Sequence, residues 1–135
     1  MRGTTRDAAG LAAIEAAGIE AVDADPDRLG TLMTQLAGVT VVCWLLGGAE
    51  GDNVAELHGP RLETLLERLV DTPVRGIVYE AAGTVEASLL SGGAAAVNAA
   101  AERWRIPAEV VNADPADHAG WVAAMREAVG RLLWR

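Results

Sequence analysis

The sequence has no lysine, one cysteine and one tyrosine among its 135 residues. Each shortage excludes something. A single cysteine, Cys43, rules out an internal disulfide framework and a cysteine-cluster metal site. All 11 basic residues are arginine, so any chemistry that needs an ammonium group lacks its donor. Long apolar runs are missing too. The longest, Val39 to Leu46, is far too short to span a bilayer, and the N-terminus carries no apolar signal core. The expectation is a cytoplasmic chain with no membrane contact. Positive charge is scarce: 19 acidic residues outweigh the 11 arginines, for a formal net charge of -8. That balance argues against nucleic acid and against an anionic lipid surface.

What is present reads as one folded domain over residues 1–135. Apolar residues make up 51% and charged ones 22%, which is globular rather than disordered composition. Strand-like and helix-like patterns alternate along the chain. Arg2-Gly3-Thr4-Thr5-Arg6 has the character of the last half of a strand. Asp7 then opens a helix carrying Leu11 and Ile14, with Gly18 placed to stop it. Gly18 to Asp23 is a short strand. Asp25, followed by Pro26, is positioned to cap a helix with Leu29, Leu32, Met33 and Leu36 on one stripe. Val39 to Leu46 is the strongest strand, apolar on both faces. A loop, GGAEGD, leads to a long helix from Asn53 to Val70, then to a strand from Val74 to Tyr79. Residues 85–104 are helical, with a break expected at Gly92-Gly93. Glu109 to Val111 is a last strand, and Trp121 to Leu133 a closing helix. Alternating β and α elements predict a parallel sheet with helices on both faces, a three-layer α/β fold. "VDADPD" and "VNADPA" echo each other where a strand runs into Asp-Pro, which reads as shared cap chemistry.

Few residues carry chemistry. GGAEGD stands between a strand and a helix but matches neither a G-x-G-x-x-G turn nor a P-loop, and Glu50 and Asp52 repel phosphate. Cys43, mid-strand, reads as buried and inert. His58 and His118 each sit on a predicted helix without a second ligand nearby, so a surface or interface role is expected and no metal. Ser88 and Ser91 lack a nucleophile-elbow setting.

The order "RGTTRD", "GIEAVDADPDRL", "VTVVCWLLG", "VRGIVYEAAG", "AERWRIPAEVVNADP" resembles the nucleotide-binding part of short-chain dehydrogenase-like proteins, of the atypical or NAD-dependent epimerase/dehydratase type. The resemblance covers nearly the whole chain and implies a Rossmann-like fold. It makes "RGTTRD" the end of the family's second strand, where Arg6 matches an arginine that faces the 2′-phosphate of NADP, with Thr5 beside it. Asp25, or else Asp23, matches the acidic residue near the adenine. Leu46 and Gly47 match the loop that runs along the cofactor. Ala81 and Ala82 stand where the family places Ser or Thr.

The same resemblance implies two omissions. The family's first strand and its G-x-G-x-x-G turn have no counterpart, and in the order 3-2-1-4-5-6 that strand is central. The expectation is an N-terminally truncated sheet that either keeps a gap or closes up, third strand beside fourth. The family's reductases also use Y-x-x-x-K-x-x-x-E. Setting its Glu on Glu102 places Ala94 at the Tyr and Asn98 at the Lys, and neither can move a proton. Taken together, these features predict a nucleotide-binding or interaction module without oxidoreductase catalysis, taking NADP weakly if it takes a dinucleotide. The alternatives are an NADP-dependent reductase or epimerase whose start omits the cofactor-binding segment, and a structural protein that binds no nucleotide. A sheet edge as apolar as Val39–Leu46 further predicts a homo-oligomer.

Overall fold

The structure, a computed structural model, describes residues 1–134. The chain divides into two compact units, Met1–Ala37 and Gly38–Arg135.

The first unit is built from β1 (Arg2–Thr5), α1 (Ala8–Ala16), β2 (Glu20–Asp23) and α2 (Leu29–Met33). β1 and β2 pair in parallel, Arg2 opposite Glu20 and Thr5 opposite Asp23. Asp7 caps α1, its carboxylate accepting the Gly10 N–H at 2.6 Å. Gly18 ends the helix as expected. Its φ of +79° lets the Ile19 N–H reach the Ile14 carbonyl and its own N–H reach Glu15, a Schellman motif. Arg2 ties the unit together. Its guanidinium bonds Glu20 at 3.1 Å and the carbonyls of Gln35 and Ala37 at 2.8 and 2.7 Å.

The second unit follows the order β3 (Val41–Trp44), α3 (Val54–Leu57), α4 (Pro60–Leu69), β4 (Gly76–Glu80), α5 (Ala87–Trp104), β5 (Ala108–Val111) and α6 (His118–Leu133). Its three strands form a parallel sheet in the order β3-β4-β5. All five residues of β4 are buried, so both faces of the sheet are covered. Val78 packs with Val111 and with Met125, Ala128 and Leu132 of α6. Tyr79, pointing the other way, meets α5 at Gly93. Leu62, Leu65, Leu66 and Leu69 of α4 are each at most 2% exposed, and burying a side chain of that kind contributes about 1.5–3 kcal/mol.

Several expectations are corrected. The helix expected across Asn53–Val70 is two helices. Pro60 cannot donate to the preceding turn, so α3 stops at Leu57 and α4 restarts with Pro60 in its first turn. α5 runs unbroken through Gly92-Gly93. β3 is Val41–Trp44, shorter than the apolar run that contains it. Cys43 is exposed rather than buried, although enough protein surrounds the thiol to push its pKa up by desolvation. Asp25 does not cap α2, whose N-cap is Arg28. Asp25 instead starts a turn with Pro26 at its second position: its carboxylate accepts the Asp27 N–H and its carbonyl the Arg28 N–H, both at 2.9 Å. Asp114 repeats this pattern, accepting the Ala116 N–H at 2.9 Å and the Asp117 N–H at 3.1 Å before Asp117 caps α6. The two Asp-Pro echoes therefore share turn chemistry, one step ahead of the helix. β3 pairs with β4 and not with β2.

Candidate functional site

In the first unit, the carboxyl ends of β1 and β2 open into a cleft of about 270 Å3 lined by Arg6, Asp23, Ala24, Asp25, Arg28 and Thr31. Arg6 follows β1 directly. The Asp25–Arg28 turn carries the chain back over the end of β2, and Thr31 stitches it in place. The Thr31 hydroxyl donates toward the carbonyls of Arg28 at 2.7 Å and Asp25 at 3.1 Å, and accepts the Asp25 N–H at 2.8 Å. Two guanidiniums and two carboxylates thus share one cleft, yet among the described residues none of the four joins an ion pair. Their charges remain available to a ligand that offers both an anion and N–H or O–H donors. Arg6 and Asp25, matched to one nucleotide by separate motifs, meet here together with Asp23. Thr5 does not line the cleft. Its hydroxyl packs against Gly10 in the first turn of α1.

Leu46 and Gly47 belong to the second unit, in the loop after β3. Buried polar side chains grip the peptide between them from both sides. His58, only 2% exposed, lies with Nε2 2.8 Å from the Leu46 carbonyl and Nδ1 2.6 Å from the Tyr79 hydroxyl. A carbonyl only accepts, so Nε2 carries the proton, and the Tyr79 hydroxyl donates to Nδ1. On the other side Glu80, 5% exposed, accepts the Gly47 N–H at 2.8 Å with Oε1 and the Trp121 indole N–H at 2.7 Å with Oε2. The Gly47 carbonyl accepts the Val85 N–H at 3.0 Å. Both polar backbone groups of Gly47 are therefore occupied within the protein. Burial, reinforced by the charge of Glu80, pushes the Tyr79 hydroxyl up to about 12.

Ala94 and Asn98 lie one turn apart on α5, the first half-buried and the second exposed. Ser88 bonds the Glu86 carboxylate at 2.7 Å, and His118 is exposed at the first position of α6. His58 is the opposite of the expected surface histidine, since the Gly59-Pro60 break turns it inward at the end of α3. Sequence reasoning passed over Glu80, Trp121, Arg28 and Thr31. Glu80 had a signal: a carboxylate closing an otherwise apolar, buried strand needs partners. Among the described residues no three His, Cys, Asp or Glu side chains converge as metal ligands, and no helix is long and apolar enough to cross a membrane.

No family model matches the sequence, and no curated protein matches it. Among solved structures, the chain resembles the triphenylmethane reductase of Citrobacter sp. complexed with NADP(H), at a TM-score of 0.59 and 19% identity over 82% of the chain. The fold is Rossmann-like: parallel strands flanked by helices. The chain spans 39% of that reductase's length.

Proposed function

We propose that this chain is a Rossmann-like module that binds NADP through its adenosine 2′-phosphate end and carries no oxidoreductase chemistry of its own. The observation that carries this reading is the cleft at the ends of β1 and β2, where Arg6 supplies the anion contact and Asp23 and Asp25 the acceptors for an adenosine moiety. The resemblance in fold to a reductase complexed with NADP(H) supports it. Leu46 and Gly47 are left out of this reading: Gly47 is buried, and the peptide joining them is already hydrogen-bonded on both sides. Affinity should be weak, since the sequence contains no G-x-G-x-x-G turn for the pyrophosphate.

Ala94 and Asn98 disfavour a reductase or epimerase activity in this chain. Calorimetric titration with NADP and NAD, repeated on Arg6→Ala, tests the proposal. NADP should bind more tightly, and the difference should vanish in the variant. Equal affinity for both ligands, unmoved by the substitution, takes Arg6 out of the site. A second reading, self-association through a strand edge, rests on β3, which pairs with β4 alone.

A further inference from the structure

The cleft of the first unit holds a second guanidinium that the Arg6 reading leaves unused. We propose that Arg28 is a specificity-determining residue of this cleft, closing with Arg6 on one phosphate monoester while Asp23 and Asp25 accept hydrogen bonds from the same ligand. The proposal rests on the nucleotide-binding reading above and adds the residue that makes the site selective.

Charge gives the first argument. A phosphate monoester carries about -1.5 to -2 at neutral pH, so one arginine leaves nearly a full charge uncompensated. Arg28 lines the same cleft as Arg6 and engages no carboxylate, although Asp23 and Asp25 line it too. With two arginines and two aspartates the lining is formally neutral. Inorganic phosphate gains little from such a cleft, whereas a nucleotide monoester, with its ribose hydroxyls and base amine, engages all four side chains.

The second argument is rigidity. Arg28 stands at the end of a turn fixed by three bonds to the Thr31 hydroxyl and one to the Asp25 carboxylate. Its backbone is already placed, and a ligand need order only the side chain, which lowers the entropic cost of closing on the phosphate. Arg6 follows β1 directly and Arg28 closes the turn that follows β2, so the cleft receives its two arginines from separate segments of the unit.

The experiment is calorimetric titration of the full chain, wild type and Arg28→Ala, Arg28→Lys and Arg6→Ala, with NADP, NAD and adenosine 2′-monophosphate, each variant first checked for an unchanged thermal melt. Loss of one charge-assisted partner should weaken NADP and the 2′-monophosphate by about tenfold to a hundredfold in Arg28→Ala and leave NAD within about twofold. Arg28→Lys should fall between, keeping the charge without the fork. If Arg6→Ala abolishes the preference for NADP while Arg28→Ala preserves it, Arg28 is outside the subsite and the binding reading stands without it. If Arg28→Ala weakens NAD and NADP alike, Arg28 does not set selectivity, and the inference fails. If the wild type binds none of the three ligands, the inference and the proposed function fall together.

Discussion

His58 and Glu80 hold opposite ends of one peptide group. His58 donates from Nε2 to the Leu46 carbonyl and Glu80 accepts the Gly47 N–H, each at 2.8 Å and each from a nearly buried side chain. The two grips come from opposite faces of the sheet. His58 is set by Tyr79 and Glu80 by Trp121, and Tyr79 and Glu80 are successive residues of β4, so strand alternation sends one to each side. The loop after β3 is thereby held from both flanking layers at this peptide.

Glu80→Gln should expose the cost of that arrangement. A glutamine keeps the shape but offers one oxygen and one NH2, while Gly47 and Trp121 both present donors. One of them must then face a donor in a buried site, a loss of about 1–3 kcal/mol. The expected result is a folded protein with a lower melting temperature and altered tryptophan emission. A melt and spectrum identical to wild type would show that Glu80 carries no such duty.

Tyr79 provides a pH-dependent test, because it is the only tyrosine in the chain. The folded protein holds the phenolic proton more tightly than the unfolded chain, with a pKa pushed up to about 12. The stability this group contributes is complete below the ordinary tyrosine pKa of about 10 and is lost as the pH rises through about 12. The slope in that window is at most about 1.4 kcal/mol per pH unit. Tyrosinate absorbance during an alkaline titration should rise late and together with unfolding. Ionisation near pH 10 with the fold intact would contradict the buried, donating hydroxyl.

Gly93 lets α5 approach the sheet. A Cβ there would fall on the Tyr79 hydroxyl oxygen, and Tyr79 is fully buried with no room to retreat. Gly93→Ala should therefore destabilise the protein by about 1–3 kcal/mol. In a Tyr79→Phe background the worst contact, with the oxygen, is gone, although the ring carbon that carried it would still lie 2.5 Å from the new Cβ, so the same substitution should remain destabilising but cost less. A Gly93→Ala variant as stable as wild type, measured by denaturant unfolding, would separate Gly93 from Tyr79.

The fold was largely legible because its signals are local. Apolar runs, the Gly18 stop and the period of α5 and α6 each act within a few residues. The break at Gly59-Pro60 was equally local, but the leucine periodicity on either side of it reads as one helix when the proline is not weighed against it. Two kinds of information were not in the pattern. Asp25 and Asp114 have the composition of a helix cap, and only the hydrogen bonds show that each closes a turn first. His58, the Tyr79-Glu80 pair of β4 and Trp121 come from three separate segments, up to 63 positions apart, and nothing in the spacing announces that they converge. In the first unit, Arg6 and Asp25 could be matched to a nucleotide, whereas Arg28 joins them only through the Thr31-stitched turn.

Catalysis gives a negative expectation. The family resemblance sets Ala94 and Asn98 against an acid/base pair, and the chain contains no lysine to substitute. No turnover of NADPH or NADH with carbonyl substrates, or of their oxidised forms with alcohols, is expected. A steady rate well above a blank, lost when one of the cleft residues is replaced, would overturn this.

Assembly follows from the edges of the sheet. β3 pairs with β4 on one side, and no strand among the described residues pairs with its other side. Its residues, Val41-Val42-Cys43-Trp44, include no charge and no proline, the usual devices that keep an edge from recruiting a neighbour. Cys43 and Leu45 are exposed along it. Such an edge offers main-chain donors and acceptors to a second copy of the chain, with apolar side chains to bury beside them. The chain is therefore expected to self-associate, and Cys43→Lys, which sets a charge on that edge, should shift it toward the monomer. Light scattering coupled to size-exclusion chromatography, run under reducing conditions to exclude a disulfide, reads the result. A wild-type protein that elutes as a monodisperse monomer at all concentrations would show that the β3 edge recruits no partner, and the assembly argument would fall with it.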